Sequence, residues 1–66
     1  SILMKKDITL LEEYKTILDN RIKELIEEQE KYQDQDNYTL YSSIQSRILE
    51  LQSQWYKVQS LIIKNI

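Results

Sequence analysis

The chain contains no cysteine, histidine, glycine or proline. Without cysteine there are no disulfides and no thiolate metal sites. Without histidine there is no imidazole ligand and no ordinary neutral-pH base. Glycine and proline punctuate most loops, so their absence argues for few turns and long regular elements. No uninterrupted apolar run approaches the ~18 residues of a membrane-spanning helix, so no membrane is expected. The opening Ser-Ile-Leu-Met-Lys-Lys is too short and wrongly ordered for a secretory signal, which makes a cytoplasmic protein the expectation. Met4-Lys5-Lys6 would suit a natural start, in which case Ser1 to Leu3 would be foreign to the chain.

What remains is short and regular. Sixty-six residues make one small domain at most. Domains of this size bury only roughly 60% of their unfolded surface and need further support. With disulfides and metals excluded, that support is association or very regular helix packing.

Net charge is −2, unevenly spread. Residues 1–37 carry six basic and ten acidic side chains, hence −4, and residues 38–66 carry three basic and one acidic, hence +2. An acidic helix beside a weakly basic one suits pairing within the chain. A nucleic-acid surface is not expected, because it needs clustered Lys and Arg to replace counterions.

Aliphatic residues recur three and four apart rather than in alternation, which predicts helix over strand. The expected fold is all-α: one domain over residues 1–66, with helix one about 7–33, a turn about 34–37 and helix two about 38–64. Thr9-x-x-Glu12 is a possible capping box for helix one, with Asp7 as a rival N-cap. Leu11, Leu18, Leu25 and Tyr32 form one column at seven-residue spacing, and Leu3, Leu10 and Ile17 form a second that stops at Glu24. The columns lapse in Asp34-Gln35-Asp36-Asn37, whose side chains favour turns, and Asp36 or Asn37 would cap helix two. The competing reading is one unbroken helix in a parallel coiled coil. Lapsed columns and complementary halves favour the antiparallel two-helix hairpin.

Helix two repeats a heptad three times, as IQSRILE, LQSQWYK and VQSLIIK. Tyr41, Ile44, Ile48, Leu51, Trp55, Val58 and Ile62 alternate gaps of three and four, a coiled-coil seam. Beside that seam run two further columns: Gln45, Gln52 and Gln59, then Leu49, Tyr56 and Ile63. At about 100° per residue the apolar arc spans roughly 160°. One neighbouring helix cannot cover it. A second copy of the chain would, giving a homodimer built as an antiparallel or crossed four-helix bundle, or a higher homo-oligomer. Gln45, Leu49, Gln52, Tyr56, Gln59 and Ile63 are therefore the expected protein interface, with each Gln satisfied by a two-fold-related amide or left in solvent with its methylenes on apolar neighbours. Trp55, on the inner seam, is expected in the core.

Little here suggests catalysis. Glu24, Glu27, Glu28 and Glu30 read as a solvated face, with Glu27–Lys31 and Asp19–Lys23 as ordinary surface pairs. Asp34-Gln35-Asp36-Asn37 begins like a calcium loop, but Tyr38, Thr39 and Gln45 occupy the fifth, sixth and twelfth places. No catalytic residue, metal, cofactor or small-molecule ligand is expected.

Ser46-Arg47-Ile48-Leu49-Glu50, followed by Tyr56, resembles the Ser-x-x-Leu-Asp segment of the Spo0E-like sporulation phosphatases, themselves short helical hairpins. The likeness covers about eleven residues, and Glu50 stands where that family has Asp. It implies a phosphatase role for Glu50 and a response regulator as partner. The plasmid Rop proteins share the expected architecture, but no motif here matches their RNA-binding face.

The expected function is thus a non-enzymatic, self-associating interaction or regulatory module acting on an unidentified protein. Phosphatase action on a response regulator is one alternative. The oligomerising fragment of a longer coiled-coil protein is another. High Ile, Lys, Asn and Tyr suggests an AT-rich bacterial, phage or plasmid source.

Overall fold

A computed structural model describes residues 3–66; Ser1 and Ile2, at the start of the stretch read as foreign, lie outside the described residues. Two helices account for nearly all of it, α1 (Lys5–Asp34) and α2 (Tyr38–Lys64). They pack side by side as a hairpin 49 × 14 × 10 Å across its Cα atoms. The packing is antiparallel, because Lys15 meets Gln59 while Gln29 meets Gln45.

The reversal takes three residues, Gln35 to Asn37, one fewer than the sequence suggested. The Asp36 N–H donates to the Gln33 carbonyl at 3.0 Å and the Asn37 N–H to the Tyr32 carbonyl at 2.8 Å. Those two bonds make a Schellman close, which needs a left-handed residue between helix and exit. Asp36 takes that role at φ 56°. Asp is among the few non-glycine residues that tolerate this region. Asn37 then caps α2, its Oδ1 accepting from the Leu40 N–H at 3.3 Å. The Tyr38 hydroxyl donates to Asp36 Oδ1 at 3.1 Å, tying the turn to the second helix.

The start of α1 corrects the sequence reading. Met4, not Thr9 or Asp7, is the N-cap residue. Its N–H donates to Asp7 Oδ2 at 3.2 Å, so Asp7 closes the first turn from inside the helix. Thr9 lies within the helix, its hydroxyl donating back to the Lys5 carbonyl at 3.1 Å. Packing explains the earlier start: Ile8 packs onto the buried cluster that Leu18, Val58 and Ile62 form, which holds the turn preceding Thr9 in place.

The interior is a single row of side chains. Leu18, Val58 and Ile62 form one buried cluster, supported by Ile8, Leu11, Leu51 and Trp55. Ile22, Leu25 and Ile48 form a second, supported by Ile44 and Leu51. Leu51 touches both and makes the row continuous. Toward the turn the row changes character. Gln29 is only 8% exposed, its Nε2 donating to Gln45 Oε1 at 2.7 Å and to the Tyr41 carbonyl at 3.4 Å.

Candidate interaction surface

A two-helix hairpin has an inside seam and two broad faces. Tyr14 and Lys15 distinguish the faces, since adjacent helical residues point about 100° apart. The Lys15 ammonium donates to Gln59 Oε1 on one side and lies 4.8 Å from the centre of the Trp55 ring. The Tyr14 hydroxyl donates to Gln54 Oε1 at 3.3 Å on the other. The Lys15 face also carries Asp19, Gln52 and Tyr56, which line a shallow depression with Ile22 and Trp55. On the Tyr14 face, Leu3, Asp7, Leu10, Leu11 and Leu61 line a second, apolar one.

The Lys15 face holds the six residues expected at an interface. After the hairpin has closed, Leu49, Tyr56 and Ile63 remain 55%, 67% and 58% exposed. The glutamines between them divide by circumstance. Gln45 accepts from buried Gln29, and Gln59 accepts from Lys15. Gln52 is exposed and has no side-chain partner among the described residues. The acceptor oxygens of these two amides are thus engaged within their own chain. The reason is geometric: their column borders the inner seam, within reach of α1. Trp55 is half-buried rather than fully enclosed, and its ring meets Tyr56 edge-on, 5.1 Å between centroids at 85°. Its Nε1 is buried without an acceptor among the described residues.

Two features escaped the sequence reading. Gln29 is polar and stood outside the columns of apolar residues. Its spacing pointed inward, since Leu18, Ile22, Leu25, Gln29 and Tyr32 step by four, three, four and three. The second is the Tyr14 face, where Leu10, Ile17 and Leu61 are exposed near the open end. Leu10 and Ile17 had been placed in a column, but nothing showed that α2 would leave that column uncovered.

The charged groups behave as a solvated surface. Among the described residues the ion pair is Arg21 with Glu24, at 3.1 Å and exposed. The expected pairs Glu27–Lys31 and Asp19–Lys23 are not closed. Exposed pairs gain little over water, so other rotamers compete equally well. Glu24, Glu27 and Glu28 line a shallow depression that also contains Arg21 and Lys31. No group of three potential metal ligands converges among the described residues. Glu50 is exposed on the outer side of α2, as are its neighbours Ser46 and Ser53. No described helix is long and apolar enough to cross a membrane. Tyr32 and Tyr41 are half-buried beside the turn, while Tyr38 is exposed.

No protein-family model matches this chain, and neither a curated protein nor a solved structure is similar to it.

Proposed function

We propose that this chain is a non-enzymatic interaction module whose hairpin pairs with a second copy to form a four-helix bundle. One observation carries the reading: the Leu49–Tyr56–Ile63 column is still more than half exposed once α1 has covered the inner seam. Three large apolar side chains at seven-residue spacing make a continuous stripe, and such stripes mark association surfaces on small proteins. The assembled bundle would act by contact, offering the acidic side of α1 or the turn tyrosines to another protein. The same hairpin would serve equally as the oligomerising segment of a longer chain.

Sedimentation equilibrium at micromolar concentration tests the proposal. A mass of twice 8.0 kDa supports it, and 8.0 kDa throughout the range overturns it. Tyr56→Glu places a charge on the stripe and is expected to raise the dissociation constant at least ~10-fold, because a charge buried without a partner is costly. If association is unchanged in that variant, the stripe is not the interface.

Phosphatase action is separable. Glu50 is exposed, so a receiver domain could reach it. Dephosphorylation of a panel of phosphorylated receiver domains, abolished by Glu50→Ala, would replace the interaction reading with the catalytic one.

A further inference from the structure

We infer that copies of this chain add to one another in an open row, the Leu49–Tyr56–Ile63 stripe of one copy packing on the outer flank of α1, at Leu10 and Ile17, of the next. The inference rests on the self-association proposed above. Two successive copies are the four-helix pair of that proposal. What is added is which surfaces meet, and that growth continues beyond two.

Each helix keeps an uncovered apolar stripe after the hairpin has closed. On α2 it is Leu49, Tyr56 and Ile63. On α1 it is Leu10 and Ile17, which are 60% and 63% exposed, as open as the α2 stripe. Both stripes step by seven residues. Beside Leu10 an apolar depression opens, lined also by Leu3, Asp7, Leu11 and Leu61, where a large side chain can seat. The stripes lie at one level along the hairpin. The Lys15–Gln59 bond falls between Leu10 and Ile17 on α1 and between Tyr56 and Ile63 on α2.

The stripes do not share a face. At about 100° per residue, Leu10 and Ile17 stand roughly 100° around α1 from its buried residues, and the α2 stripe stands roughly 120° around from its own. The first turns to the Tyr14 face and the second to the Lys15 face. A closed pair joined through the Lys15 face leaves Leu10 and Ile17 in water. Packing α2 of one copy on α1 of the next covers one stripe of each kind at every joint. Successive joints turn to opposite faces, so the row zigzags and does not close on itself. Unlike patches that meet head to tail without closing build open assemblies.

Net charge favours the same joint. Residues 1–37 carry −4 and residues 38–66 carry +2. A joint of α2 on α1 sets opposite charges side by side, as the hairpin itself does. Joints of α1 on α1 or α2 on α2 set like charges together. The cations of α2 are not used within the chain. Arg47, Lys57 and Lys64 are exposed, and none has an ion-pair partner in its own chain among the described residues.

Complementation tests the joint. Tyr56→Glu spoils the α2 stripe and Ile17→Glu the α1 stripe. Both positions are exposed, so each variant is expected to keep its helix content by circular dichroism. Leu10→Glu replaces Ile17→Glu if the latter unfolds. In sedimentation equilibrium across the micromolar range, the native chain is expected to pass twice 8.0 kDa as concentration rises. Either variant alone is expected to associate at least ~10-fold more weakly, because every joint needs one stripe of each kind. Mixed together, the two variants retain one intact joint and are expected to form a 1:1 pair that grows no further. A closed pair through the α2 stripe gives a different pattern: a mass that stops at twice 8.0 kDa, Ile17→Glu pairing like the native chain, and no rescue on mixing. That pattern overturns the row and leaves the proposed function standing. A native chain of 8.0 kDa throughout overturns both.

Discussion

The two ends of the hairpin interior use one spacing and opposite chemistry. At the open end the seam is filled by Leu18, Val58 and Ile62, with Ile8, Leu11 and Trp55 around them. At the turn end the same positions hold Gln29, which bonds Gln45 and the Tyr41 carbonyl. Apolar contact is non-directional, so the open end tolerates a small sliding of one helix past the other. An amide pair does not. A slip of one residue would leave Gln29 buried and unpaired, at a cost of about 1–3 kcal/mol. The open end supplies stability, and the turn end supplies register.

Truncation at the open end should have the largest effect. Leu18 is 3% exposed, and Leu18→Ala is expected to cost about 2–4 kcal/mol in urea unfolding. A loss below about 1 kcal/mol would mean that the apolar half does not hold the hairpin closed. The turn end comes next. Gln29→Ala is expected to cost about 1–2 kcal/mol, through lost contact and the exposed carbonyl of Tyr41. Gln29→Leu sharpens the contrast: its stability should match the native chain within about 1 kcal/mol, while a spin label on each helix should report a broader distance distribution. An unbroadened distribution would show that the turn alone sets register. The smallest change concerns Asp36. At φ 56° glycine is free of the side-chain strain, so Asp36→Gly should stabilise by about 0.5 kcal/mol, less whatever the Tyr38 hydroxyl bond contributes. A clear loss instead would assign the turn's stability to that bond.

Much of the fold could be read from residue order. The three-and-four spacing from Tyr41 to Ile62 identified the buried edge of α2, and Asp34–Asn37 marked the reversal. The helix start could not be read. Thr9-x-x-Glu12 has the right letters, but local signals at a helix end are worth about 1 kcal/mol and yield to packing. The packing of Ile8 onto the buried cluster outweighs them. Gln29 was hidden for a related reason. A polar side chain looks solvent-facing until its partner across the seam is known, and that partner is sixteen residues away.

Residue order by itself determined two long helices, the absence of disulfide or imidazole chemistry, and an apolar arc on α2 too wide for one neighbour. Periodicity and composition are local properties, so they need no knowledge of what packs where. Only the tertiary structure decided which amides are satisfied within the chain, that Asp36 takes the left-handed turn position, and that apolar side chains remain uncovered on both faces. Those outcomes depend on how the helices are aligned along and around each other, and alignment is a property of the pair that neither helix carries alone.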